Sequence, residues 1–223
     1  MKNLKGAFTV LTAVSLMVFL TSCCCFRCHK PKPTCVNLIQ DGSFETSGCT
    51  TACGFNTGNT FDGVWKVISA PSPDGVDVVG NPYDATQFYP APDGTEILVL
   101  NFLMSTASKI VSQDITTSLK AGKIYSLSFF QSAFVFTKPG YGAVPGDVNV
   151  QLVSTVSGTI VFDQSFHVNK GTGWVLKTAP IHITTAGNYT IKFSSLSSTS
   201  TSENPHGYSA ANIDAVSLCE KNP

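Results

Sequence analysis

The chain has 223 residues, with 14 basic and 14 acidic side chains, and only 13% of its residues are charged. Balanced charge excludes the broad basic surface that nucleic acid requires, and no acidic tail offers itself to a basic partner. The length suits one all-β domain with an ample core, and Ser, Thr, Gly and Asn supply most of the polarity, as in exported β-proteins.

The first element is an N-terminal signal. Lys2 and Lys5 form a short basic head, and from Gly6 to Leu20 no residue is charged. That run is too short for a ~30 Å hydrocarbon core, which needs about 20 apolar residues; it has the length of a signal-peptide core. Leu20-Thr21-Ser22-Cys23 follows and resembles the bacterial lipobox. The Cys23 thiol would take a diacylglycerol thioether, and its freed amine a further acyl chain such as palmitate. Two or more chains anchor stably where one binds only marginally. Residues 1–22 are therefore expected to be an export signal, and the mature chain a lipoprotein held on a membrane at Cys23. The alternative is an ordinary secretory signal with a coincidental cysteine. Cys24 stands where an Asp would act as an inner-membrane retention signal, which favours an outer-membrane or cell-surface address in the cell envelope.

Residues 23–34 read as a Cys-rich tether ending in Pro31-Lys32-Pro33, an extended spacer. Cys25-Phe26-Arg27-Cys28-His29 has the look of a c-type haem attachment motif, but further lipidation, mixed disulfides or no role all fit a tether better. Four cysteines belong to the domain, expected over residues 35–219 with a short tail at 220–223. Cys35 opens it and Cys219 closes it. If their strands are neighbours, a Cys35–Cys219 bridge would close nearly the whole domain, worth ~5 kcal/mol in the chain-entropy account. Cys49 and Cys53 would then pair locally. An exported context favours disulfides over thiols.

Within the domain, strand signals recur and helical periodicity is absent. The expected strands are Val36–Ile39, Val64–Ile68, Val76–Val79, Glu96–Leu100, Lys109–Thr116, Lys123–Val135, Asp147–Ser154, Thr159–His167, Val175–Thr184, Asn188–Ser195 and Asn212–Leu218. Turn signals such as Asp74-Gly75, Asp93-Gly94 and Gly171-Thr172-Gly173 separate them. Val148, Val150 and Leu152 alternate with polar residues, as do Tyr189, Ile191 and Phe193. Many short strands without intervening helices predict a β-sandwich or jelly roll.

Asn37-Leu38-Ile39-Gln40-Asp41-Gly42-Ser43-Phe44-Glu45 looks like the opening of galactose-binding-like jelly rolls. With Val64-Trp65-Lys66-Val67, Gly75-Val76-Asp77-Val78-Val79, Pro92-Asp93-Gly94-Thr95-Glu96-Ile97-Leu98-Val99-Leu100-Asn101 and Asn212-Ile213-Asp214-Ala215-Val216-Ser217-Leu218, the chain resembles domain-of-unknown-function family six hundred and forty-two. In bacteria that family includes the choice-of-anchor C group. The resemblance spans nearly the whole mature domain and implies an all-β, galactose-binding-like β-sandwich. Val99 departs from it, since relatives often carry Asp there. The resemblance also implies that Glu45 and Asp214 help to hold a structural calcium, which takes carboxylate and carbonyl oxygens. Otherwise both carboxylates accept turn N–H groups.

Sugar recognition needs aromatic faces beside polar groups, and three expected loops offer them. Tyr83, Gln87, Phe88 and Tyr89 lie in one, Tyr141 in the second, and Asn204, His206 and Tyr208 in the third. Trp65 and Trp174 sit in strand-like contexts and are assigned to core packing; His167 and His182 are assigned structural roles. No catalytic elbow, zinc-binding His-Glu-x-x-His or phosphate loop occurs. The expectation is a module that is not an enzyme and that binds carbohydrate or another cell-surface polymer. A structural or adhesive envelope lipoprotein contacting proteins is the alternative, and a secreted hydrolase the weaker one.

Overall fold

In the computed structural model, residues 36–49, 52–69, 76–80, 89–102, 108–134, 144–197 and 208–221 are described. They form two antiparallel six-stranded sheets. The first runs β1 (Ala52–Phe55), β4 (Val76–Gly80), β5 (Glu96–Phe102), β12 (Ser209–Glu220), β7 (Lys123–Ala133), β10 (Val175–Ile183). The second runs β2 (Thr60–Phe61), β3 (Trp65–Ser69), β6 (Ile110–Asp114), β11 (Tyr189–Ser195), β8 (Gly146–Ser154), β9 (Ile160–Val168). This is the expected all-β jelly-roll β-sandwich.

The alternation read in the sequence places the core. Val148, Val150 and Leu152 of β8 and Tyr189, Ile191 and Phe193 of β11 point inward with at most 2% exposure. They meet Leu127 and Phe129 of β7 and Ile213 of β12 across the sandwich. Phe129 packs edge-on against Phe193 and Phe166, with ring centroids 5.4 and 5.0 Å apart. Such pairs add ~0.5–1.5 kcal/mol to their area burial. Trp65 is wholly buried, as expected, and its Nε1 donates to Asp41 O at 3.0 Å.

The opening segment departs from expectation. Residues 36–39 do not form a ladder strand. Asn37 replaces the ladder with its side chain: Oδ1 accepts from Ile39 N and Leu218 N, and Nδ2 donates to Val216 O. One backbone bond, Leu38 N to Leu218 O, completes the contact. The segment then turns at Gly42 against a bulge in β12, where the register shifts between Asp214 and Ser217 and Ala215 has φ 51°. Gly42 O accepts Val216 N at 2.8 Å, and a Cβ on Gly42 would collide with the Val216 carbonyl. This close approach explains the Asp-Gly of the opening motif. Phe44 follows into the core with φ 63° and no exposure. Two short strands, β1 and β2, escaped the sequence reading because they are too brief to show a period.

Cys49 and Cys53 form the expected local disulfide, with Cα atoms 5.9 Å apart. Cys219 is also disulfide-bonded; its expected partner, Cys35, lies outside the described residues, as do Cys23 and the rest of the signal and tether.

Candidate functional site

Glu45 and Asp214, the expected calcium pair, both grip the turn Asp93-Gly94-Thr95-Glu96. Glu45 Oε1 accepts from Thr95 N and Glu96 N, each at 2.7 Å, and Oε2 from the Thr95 hydroxyl. Asp214, fully buried, accepts Asp93 N at 2.8 Å on Oδ2 and Ala215 N at 2.6 Å on Oδ1. The turn needs glycine at its centre: Gly94 has φ +71°, and a Cβ there would overlap the Glu45 carboxylate. Both carboxylates thus act as acceptors for turn N–H groups.

The unsatisfied oxygens lie nearby, on Asp62. Neither Asp62 carboxyl oxygen meets a donor, although both are shielded from solvent. Burial pushes Asp62 up to about 8, helped by the nearby Asp41 carboxylate, which favours the protonated form and accepts its proton, and by the charges of Glu96 and Glu45. Burial likewise raises Glu96, whose carboxylate accepts the Ser47 hydroxyl. Asp41 accepts Glu45 N, Thr46 N and the Thr46 hydroxyl. A buried acid with no donor and acidic neighbours either keeps a proton or takes a cation. Among the described residues no group of three or more His, Cys, Asp or Glu side chains is arranged to hold a metal ion.

The predicted loop that holds Tyr83 and Tyr89 joins β4 to β5 where Gly80 faces Glu96; the other two leave the first sheet at the other end of β5. There β5 ends where β12 begins, Phe102 opposite Ser209. β7 ends with Ala133 opposite Ala211, and β10 begins with Val175 opposite Gln131. Tyr83, Gln87, Phe88, Tyr141, Asn204 and His206 lie outside the described residues. Tyr208 is half-buried and packs on Phe134, Val144 and Ala210, a small satellite core. Tyr89 is half-buried, and its hydroxyl donates to Gly171 O at 2.8 Å. A Cβ on Gly173 would touch its ring at 3.6 Å.

Trp174 is the residue that sequence reasoning missed. It is not in the main core. It packs, half-buried, on the outer face of the first sheet against Val79, Ile97 and Val99, and its Nε1 donates to Pro90 O at 2.7 Å. Two crossed hydrogen bonds therefore lock an aromatic pair: residues 89–90 hold, and are held by, residues 171–174. The available signal was Gly171-Thr172-Gly173 directly before Trp174, which marks a loop aromatic as clearly as the prolines around Tyr89 do.

His167 and Asp147 face each other across β8 and β9, with Nδ1 and Oδ1 2.5 Å apart. Nε2 of His167 lies 3.0 Å from Asn169 Oδ1. The Asn169 contact first, and then Asp147, raise the imidazole above its usual value. His182 is exposed on β10. At the opposite end of the sandwich, between the turns at 155–159 and 184–188, lies a cavity of about 330 Å³. It is lined by Ser, Thr, Val and Asn, and its one aromatic, Tyr189, is buried, so it presents no stacking face.

No family model and no curated protein matches the chain. Solved structures do match its fold. A cyclase from Fischerella sp. TAU matches with TM-score 0.63 at 14% identity, covering 82% of this chain and 95% of its own. The same source's cyclase in complex with 4-(1H-indol-3-yl)butan-2-one gives TM-score 0.61 at 15% identity, covering 82% and 96%. A carbohydrate-binding module in complex with β-1,4-galactotriose gives TM-score 0.48 at 18% identity, covering 83% and 99%. These likenesses are of fold. They correct one expectation: enzymes are built on this sandwich at nearly full length, so the lack of a familiar motif is no ground for excluding catalysis. The expectation that the chain is not an enzyme is withdrawn.

Proposed function

We propose that the chain is a lipid-anchored binding module of the cell envelope, taking a glycan through the aromatics Tyr89 and Trp174 beside the outer face of its first sheet. One observation carries this reading: Tyr89 and Trp174 are half-buried aromatics outside the main core, fixed by reciprocal hydrogen bonds to Gly171 O and Pro90 O. A pyranose ring has an apolar C–H face that stacks on such rings, and fixed rings lose little conformational freedom on binding. Tyr83, Gln87, Phe88, Tyr141, Asn204, His206 and Tyr208 belong to the same proposal as flanking contacts. Cys23 supplies the anchor to the membrane. A structural calcium held with the help of Glu45 and Asp214, beside the turn that both grip, belongs to it too.

The fold shared with cyclases favours a second reading, in which the same site also transforms its ligand. One experiment serves both. The mature chain is screened on a glycan array, and hits are measured by calorimetry for wild type, Trp174→Ala and Tyr89→Ala, with mass spectrometry of the recovered ligand. The expected result is binding that weakens at least tenfold in both variants. A changed ligand mass establishes turnover. Binding to proteins but to no glycan overturns the glycan reading in favour of an adhesive lipoprotein.

A further inference from the structure

Asn212 lies on the outer face of the first sheet, in the same row as Trp174. Its register partners are Val99 on β5 and Ser132 on β7. Trp174 directly precedes Val175, whose partner Gln131 is the neighbour of Ser132. Val99 and Trp174 share one apolar cluster. The Asn212 side chain is fully buried, and its Nδ2 donates to Ser132 Oγ at 3.0 Å. Its Oδ1 accepts nothing.

A buried carbonyl oxygen without a donor forfeits its hydration and gains no hydrogen bond in return. Turning the amide over does not remove the defect, because Oδ1 would then face Ser132 and the NH2 would be left without an acceptor. An apolar side chain of similar shape would carry no such penalty. The amide lies in the row that contains one of the two locked aromatics.

We infer that Asn212 is the polar floor of the ligand site, and that a hydroxyl of a neutral, polyhydroxylated ring completes its hydrogen bonds. This rests on the glycan reading of the Tyr89–Trp174 pair. A hydroxyl donates and accepts, so it satisfies the amide in either orientation, whereas an ammonium or a carboxylate satisfies only one. Trp174 alongside gives the ring's C–H face its apolar partner. Asn212 is fully buried in the free protein.

The test uses the full mature chain, β-linked gluco-, galacto- and xylo-trioses as probes, and the variants Asn212→Leu, Asn212→Asp and Trp174→Ala. Asn212→Leu is expected to melt at or above the wild-type temperature while its affinity for the bound triose falls at least tenfold. Asn212→Asp, which keeps an acceptor oxygen and loses only the donor to Ser132, is expected to bind more tightly than Asn212→Leu, and binding no tighter than that variant overturns the acceptor role. Melting of Asn212→Leu well below wild type makes the amide structural and overturns the inference, as does wild-type affinity in that variant. Loss of binding in Trp174→Ala with none in Asn212→Leu sinks the Asn212 inference alone. Wild-type affinity in Trp174→Ala sinks the aromatic reading beneath it. A wild-type chain that binds none of the three trioses overturns the ligand class.

Discussion

Replacing Asp62 by Asn tests the acidic cluster directly. Asp62 is pushed from an ordinary 3.8 up to about 8, first by burial and then by Asp41. In the unfolded chain Asp62 loses its proton near pH 4, while in the folded chain it holds the proton until about pH 8. Folding therefore takes up a proton between these limits, and stability falls as pH rises through that window and levels off above it. A shift of this size has a ceiling of about 5–6 kcal/mol at 1.36 kcal/mol per unit. Asp62 is only half-buried, so screening and relaxation reduce this to about 2 kcal/mol. For a domain of this length that is roughly 4–8 °C in melting temperature. Asn imitates the protonated carboxyl, so Asp62→Asn should lose the slope between pH 4 and 8 and melt several degrees above wild type at pH 8. Glu96 shifts in the same direction, so the difference between variant and wild type is the quantity to read. Melting curves with EDTA and with calcium complete the assay. Parallel pH profiles for the two proteins, or a variant less stable at every pH, would refute the reasoning.

Gly42→Ala should destabilise by about 2 kcal/mol or more, since its Cβ must displace the Val216 backbone at the β12 bulge; an unchanged urea midpoint would refute the close approach. The raised His167 should titrate above its ordinary value by NMR. Its stabilising contact is fully present below pH 6.5 and fades as pH rises through the folded value. With a side chain 57% exposed, it should contribute less than about 1 kcal/mol. Asp147→Asn should return the titration toward 6.5, and a titration unmoved by that change would remove Asp147 as a cause. Cys23→Ser should release the protein from the membrane fraction; retention there would reject the lipid anchor.

Much of the sandwich was legible because strand alternation is a local property. Val148-Asn149-Val150-Gln151-Leu152 and Tyr189-Thr190-Ile191-Lys192-Phe193 each specify a buried face whatever their neighbours. Gly94, with φ +71°, marked a tight turn for the same reason; Gly42 is required instead by its close approach to Val216, which no local pattern shows. The local Cys49–Cys53 bridge followed from spacing. Residues 36–39 misled because an apolar run implies a ladder, whereas the Asn37 side chain substitutes for one only when the end of β12 lies beside it.

The site depended on contacts between residues far apart in the chain. Trp174 and Pro90 are 84 positions apart, and Asp93 and Asp214 are 121. No local pattern shows that one locks an aromatic ring and the other holds a turn. Asp62 carries no sequence signal beyond an Asp-Gly turn, and only packing against Asp41 and Glu96 makes its carboxyl an orphan. The sequence by itself determined a β-sandwich and the expectation of an anchored, exported chain. Only the tertiary structure decided which acids are satisfied and which aromatics are held outside the main core, because hydrogen-bond satisfaction and burial depend on every neighbour at once.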